Sequence, residues 1–371
     1  MNNGVKGECP VKLPEPASPR YWLWGIAALC LSLLFCLGIV ITSRTEWYSM
    51  PLLGCLFVTL AMAFFSLRVI VAEKNKLFIT AWNEEREKYL VEYVQYQRKA
   101  LRVLQQVIYT STGVQGNSEL VWHEETLHKI KEDYTQYSED SQDAALVLDR
   151  ILDEEFLALL RRLPGRTIFL TGGLRKQQIE EFVQAWSGFS IKHQLNHELL
   201  VQSGDHPFTW FNQWIDGHYH EKGAVVIAAD PLPDKPSCIA FLFSGRDDSE
   251  GSTDSHVKIH RPFFYEKNKK LKQTQDWSGV ALTDIEAVWC SGINQSLRTE
   301  ILLNMQSDAP DANPKFLEVD KVLGHSAAMA GWLTLALATE RAKNSRKAQL
   351  VVSLHEGVVM QIVSFNEKDA R

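Results

Sequence analysis

Apolar positions fall into two regimes along this chain. Nearly all of the long uncharged sequence lies before Glu73, and everything after it alternates between short apolar runs and polar stretches. Tyr21 to Thr42 (YWLWGIAALCLSLLFCLGIVIT) carries no charge. As a helix it reaches about 30 Å, the thickness of a bilayer core. A second uncharged stretch runs from Met50 to Leu67 and extends to Ala72 if Arg68 snorkels. Trp22, Trp24, Trp47 and Tyr48 sit where interfacial aromatics belong. The pattern predicts a two-helix transmembrane hairpin over residues 21–72, with the lipid bilayer as a partner. A cleaved signal peptide would need a shorter apolar core, a small-residue cleavage site and no second span close behind.

Orientation comes from the basic residues. Lys6, Lys12 and Arg20 precede the first span, Arg44 alone stands beside Glu46 in the short connection, and Arg68, Lys74, Lys76, Arg86 and Lys88 lie after the second. Positive-inside logic predicts an inner-membrane protein of two passes, with both termini cytoplasmic and residues 1–20 as a cytoplasmic tail.

Beyond the spans, Tyr89, Tyr93, Tyr96, Leu101 and Leu104 recur near helical spacing, which predicts one helix from Glu73 to about Thr110. Residues 73–149 therefore read as a juxtamembrane helical region and linker, the polar stretch 131–143 being the linker. Residues 150–371 read as a cytoplasmic α/β domain. Ala144 to Leu163 is an amphipathic helix stopped by Pro164-Gly165, and Arg166 to Leu170 a strand. Helices over Leu174 to Trp186 and Pro207 to Tyr219 come next, the second rich in aromatics. Ala224 to Ala229 and Ile239 to Phe243 are apolar strands of the kind buried on both faces. An acidic Gly/Ser-rich loop is expected over 245–258. The pattern then restarts: a strand at Ile285 to Trp289, helices at Ser296 to Met305 and Ser326 to Ala342, and a closing antiparallel pair, Gln349 to Leu354 with Val358 to Phe365. Alternating strands and helices predict a layered α/β domain, with 150–245 and 278–366 as structural duplicates.

Composition narrows the classes. Of 371 residues, 45% are hydrophobic and 23% charged, which fits a folded chain and excludes a disordered one. The net charge of -6 leaves no basic stripe, so nucleic acid is not an expected partner. A mean hydropathy of -0.16 excludes a polytopic transporter. Cys30, Cys36 and Cys55 lie inside the spans; Cys9, Cys238 and Cys290 are scattered, and no C-x-x-C spacing points to a disulfide framework or zinc knuckle.

Few motifs carry chemistry. His123 and His128 in HEETLH are five apart, about 140° around a helix, so they miss the shared face a zincin needs. His218 and His220 end a helix beside charges and read as exposed. Residues 247–256 resemble a calcium loop in composition only, because the glycine is misplaced and no Glu closes the loop. Thr171-Gly172-Gly173, between a strand and a helix, reads as a tight structural turn. No cofactor or metal site is expected. His325 is more informative, since it stands at the mouth of a helix built of Ala, Gly and Leu, where an imidazole is kept neutral and aimed at a cavity.

Leu323 to Gly331 (LGHSAAMAG) resembles the second active-site histidine segment of β-ketoacyl synthases and other thiolase-fold condensing enzymes, K-S-N-x-G-H-T-x-A-A-A-G. Val288 to Gly292 precedes it where those enzymes carry H-G-T-G-T, and Ser353 to Val359 occupies the place of their final G-F-G-G hairpin. The helix from Pro207, with the strands AVVIAA and IAFLF behind it, resembles the family's nucleophile helix and its succeeding strands. The resemblance covers about 150–366. It implies a thiolase-like layered fold of two related halves, and it marks the departures. The family's cysteine nucleophile has no counterpart in Gly204 to Phe208, Asp320 replaces a lysine, and the first histidine is missing with Cys290 or Ser291 near its place. Of the reactive set only His325 survives, which implies a catalytically degenerate shell. A two-span anchor with such a domain is also similar in layout to accessory membrane proteins of type VI secretion. The expectation is a non-enzymatic scaffold or adaptor that docks protein partners, secretion components among them, and that pairs as a homodimer as thiolase-like domains do. Phe208, Trp210, Phe211 and Trp214 are either partner anchors or core. The alternatives are an acyl-thioester enzyme with His325 as base and Cys290 as nucleophile, or a module that binds acyl-CoA or lipid without turnover.

Overall fold

The computed structural model describes residues 12–14, 21–42, 50–110, 117–123, 144–162, 166–202, 206–217, 223–230, 237–244, 256–265, 271, 278–322 and 327–366. They form two compact units, Met1–Tyr93 and Val94–Arg371.

The first unit holds α1 (Tyr21–Thr42) and most of α2 (Met50–Gln97). Phe35 and Phe57 stack with ring centroids 4.0 Å apart, joining the two helices. Leu29, Leu33, Leu34 and Leu37 of α1 and Leu56, Leu60, Met62, Phe64, Leu67 and Ile70 of α2 all face outward. Among the described residues one helix is long and apolar enough to cross a membrane: α2 from Gly54, whose apolar window is wholly unburied. The corresponding apolar part of α1, Gly25–Phe35, is shorter, so a two-helix hairpin with both ends on one side is an expectation that these helices meet only in part. The connecting residues 43–49 lie outside the described set.

The helix expected as far as Thr110 ends at Gln97, and Ala100–Thr110 is instead a strand, β1. The reason is a bulge between Val103 and Gln105. It reverses side-chain parity, so Leu101, Val103 and Ile108 face one side of the sheet and Val107 and Tyr109 the other. A strand with that reversal loses its period of two and imitates helical spacing. The sheet unit therefore starts near residue 94, not at 150.

The second unit is built on an 11-stranded sheet. After β1 the described residues include three short helices, α3 (Asn117–Trp122), α4 (Ala144–Ile151) and α5 (Glu154–Arg162). Asp153 splits the single helix expected over 144–163, its carboxylate accepting from the Phe156 amide and restarting the chain as α5. Next come β2 (Thr167–Gly172), α6 (Lys176–His193), β3 (Glu198–Val201), α7 (Pro207–Gly217), β4 (Val225–Asp230) and β5 (Ser237–Ser244). The second half runs β6 (His256–His260), β7 (Phe263–Phe264), β8 (Ile285–Ser291), α8 (Gln295–Asp308), β9 (Lys315–Glu318), α9 (Val319–Val322), α10 (Ala327–Ser345), β10 (Ala348–His355) and β11 (Gly357–Asn366). The end of the expected 245–258 loop is thus strand β6.

Strand order is β3-β2-β4-β5-β1-β6-β11-β10-β8-β9, with β7 beside β11. Read inward from either edge, the halves match. β3, β2 and β4 are parallel, as are β9, β8 and β10, and each trio continues into two antiparallel strands. The duplication expected from the restarting pattern is present in topology, its first half beginning at β1. α7 and α10 hold equivalent places and share one apolar core with the facing sides of both halves, including Phe241, Phe243, Trp289 and Val351. Separate cores lie on the other face, under α4–α6 and under α8. The aromatics of α7 belong to the shared core: Phe208, Trp210, Phe211 and Trp214 are all buried, with Trp210 and Trp214 stacked at 5.5 Å.

His260, at the seam between the halves, is buried, and its Nε2 lies 2.7 Å from Ser364 Oγ. Burial, helped by Lys258, pushes its pKa from 6.5 down to about 4. The unfolded chain then binds the extra proton first. Stability is complete above pH 6.5 and falls as pH drops toward 4, by roughly 3 kcal/mol in total. The melting temperature of wild type is expected to decline through that window, and a His260→Gln variant to flatten the decline.

Candidate functional site

In an open α/β sheet, ligands meet the carboxyl ends of parallel strands, where helices begin. Here that end is built twice. β2 and β8 each finish in a hydroxyl followed by a left-handed glycine: Thr171-Gly172, with φ +116°, and Ser291-Gly292, with φ +69°. Gly173 N–H donates to Ala229 O at 3.1 Å, so that amide serves the turn, as a structural turn requires, and is not open to an anion.

His206 precedes α7, and Pro207 opens the helix with its φ already set. The His206 carbonyl accepts from the amides of Thr209 and Trp210 at 3.0 and 3.2 Å. Its imidazole turns inward and is buried. It lies 3.4 Å, from Nε2, to Ser353 Oγ on β10, and its ring centroid is 4.5 Å from that of Phe208. Ser353 pairs in register with Ser291 on β8. Ser291 Oγ donates to Asp320 Oδ1 at 2.9 Å, and the Gly292 amide to Asp320 Oδ2 at 2.6 Å. Asp320 therefore ties α9 to the end of β8. His206, Ser353, Ser291 and Asp320 line the second half's strand ends, with α7 reaching across from the first half.

Gly331 makes room for this arrangement. A Cβ there would lie 2.4 Å from His206 Nε2, 2.6 Å from Cε1 and 2.9 Å from Pro207 Cγ. Gly331→Ala is expected to cost about 1–3 kcal/mol through overpacking, in spite of the roughly 1 kcal/mol that alanine gains inside a helix. Urea midpoints of the two proteins measure the difference. A His206→Ala background should remove most of it.

Strand parity decides the place of Cys290. Trp289 and Ser291 face the shared core, so Cys290 between them points to the opposite side. It sits among Val288, Ile301, Met305 and Leu350, only 2% exposed. Burial pushes its thiol up to about 12. A thiol so raised carries almost no thiolate at neutral pH. Cys238 on β5 is likewise turned away from α7 and α10, and its thiol is also pushed up to about 12 by burial. His325 lies outside the described residues, as do His128, His218, His220 and residues 247–255. His123 stands 3.7 Å from Glu119. Among the described residues no three His, Cys, Asp or Glu gather in a metal-binding group.

No family profile matches the chain, and no curated protein matches it. Similar solved structures include the ishigamide ketosynthase/chain length factor, at 13% identity and TM-score 0.46, over 71% of this chain and 99% of that one. Others are cerulenin-bound OleA of Xanthomonas campestris, at 9% identity, TM-score 0.41, and 72% and 98% coverage, and the acyltransferase ChlB3, at 10% identity, TM-score 0.41, and the same coverage.

Sequence reasoning found the helix of Gly331. It missed His206 as a site residue, although a histidine before a proline that starts a buried helix, paired with a glycine inside an apolar helix, was a usable signal.

Proposed function

We propose that this chain is a membrane-anchored, non-enzymatic scaffold or adaptor, its α/β unit a thiolase-like shell without a reactive thiol. The observation that carries the reading is the buried His206, packed against Gly331 at the strand-end site. Where a condensing enzyme of the resembled family presents cysteine at the start of the buried helix, this chain presents His206-Pro207. Among the described residues no thiol faces α7 or α10. The outward leucines of α1 and α2 support a membrane anchor. The two uncharged stretches and the basic residues that flank them are the basis for two spans with both termini in the cytoplasm of a bacterial inner membrane. Protein components of a membrane complex are the proposed partners, those of type VI secretion the first class to test.

Mild-detergent extraction of tagged full-length protein from its native membrane, with identification of what co-purifies, tests the reading. A defined set of partners retained by Cys290→Ala supports it. A protein that purifies alone and turns over acyl thioesters contradicts it.

A second reading rests on the 3.4 Å approach of His206 Nε2 to Ser353 Oγ, the pairing a serine nucleophile and its base require. Labelling of Ser353 by a fluorophosphonate, lost in His206→Ala, would favour that reading.

A further inference from the structure

A row of oxygen side chains crosses the first half of the sheet at the same end as His206, and the scaffold reading gives it no task. Thr110 on β1 pairs in register with Ser237 on β5, and Ser237 with Asp230 on β4. Two residues further into the sheet on each strand, Ile108, Ile239 and Ala228 belong to the core shared with α7 and α10, so all three oxygens point to that side. Thr110, Ser237 and Asp230 are 5%, 6% and 3% exposed. Asp230 Oδ2 and Ser237 Oγ are buried with no hydrogen-bond partner among the described residues. Neither bonds to the other, although their strands are adjacent.

A buried carboxylate oxygen left without a hydrogen-bond partner is costly unless a positive group completes it. Every group in the row is a hard oxygen donor. The row carries one formal charge, where a calcium site draws on six to eight oxygens with several carboxylates among them. We propose that Asp230, Ser237 and Thr110 form a binding site for a monovalent inorganic cation of the sodium or potassium class. Asp230 supplies the charge and the two hydroxyls supply further ligands at the carboxyl end of β4. The inference does not depend on whether the protein is a scaffold.

The test is thermal unfolding of the detergent-solubilised full chain in sodium, potassium or choline chloride at equal ionic strength. A cation specific to the folded state raises the midpoint by mass action. The expected rise in sodium or potassium over choline is about 3 °C or more for a unit of this size. Asp230→Asn should abolish the rise and, in choline, unfold no earlier than wild type, because it removes an uncompensated charge. Ser237→Ala should reduce the rise. Equal wild-type midpoints in all three salts would overturn the proposal, as would a cation effect that persists in Asp230→Asn.

Discussion

Gly172→Ala is expected to leave little folded protein. The residue has φ +116°, a conformation that L side chains rarely adopt. An added Cβ would lie 2.2 Å from Ala229 O, 2.8 Å from its N and 3.0 Å from its C. These are backbone atoms of the neighbouring strand, so no rotamer change relieves the contact. The same carbonyl also accepts from Gly173. Moving it separates β2 from β4 at the strand ends where the site is built. Backbone strain alone costs on the order of 1–3 kcal/mol. With the clash added, the loss should exceed about 4 kcal/mol, a large part of the roughly 5–15 kcal/mol that holds a domain. Circular dichroism and urea unfolding read the effect. Gly188→Ala is the control, since an added Cβ there meets nothing within 4 Å inside α6, and it should be neutral or slightly stabilising.

Arg341→Met is expected to cost about 2 kcal/mol, between the roughly 0–1 kcal/mol of an exposed ion pair and the roughly 3–5 kcal/mol of a fully buried one that loses a member, because Arg341 and Glu286 are both half-buried. Arg341 on α10 donates to Glu286 at 2.9 and 3.2 Å and to Glu119 at 2.7 Å, and it lies 3.8 Å from the Trp122 ring centre. One guanidinium therefore joins α3, α10 and β8. Burial alone would raise the Glu286 carboxyl, but donors from Arg341, Ser345 and Gln349 outweigh it and hold the group at about 2. A carboxyl lowered from 4.5 to about 2 contributes stability above pH 4.5 that is lost as pH falls toward 2. In Arg341→Met the donors are fewer and Glu286 is left partly buried, so the variant's deficit against wild type should be largest near neutral pH and it should lose less on acidification than wild type. Adding Glu286→Gln should return part of the loss; a double variant no better than the single one would remove the ion pair as its cause.

The apolar strands buried on both faces were legible because nothing interrupts them: Val225–Asp230, Ser237–Ser244 and the β10–β11 pair lie within a few residues of their expected ends. The restart of the pattern after residue 278 made the duplication legible too. β1 was not, because its bulge removes the alternation that marks a strand. Nor were β3 and β9, four-residue edge strands with one covered neighbour each and too little side-chain burial to write a pattern. In the site, the absence of a cysteine from Gly204 to Phe208 could be read directly. The inward turn of His206 needed Gly331, 125 positions away on another helix, and the outward turn of Cys290 needed the parity of β8.

The central claim is that the strand-end site of this shell forms no covalent acyl intermediate. Intact-mass spectrometry of the full-length protein after incubation with an acyl-CoA tests it most directly. The account predicts an unmodified mass at long times, in wild type and Cys290→Ala alike. A stoichiometric acyl adduct mapped to Cys290 or Ser353 would contradict it.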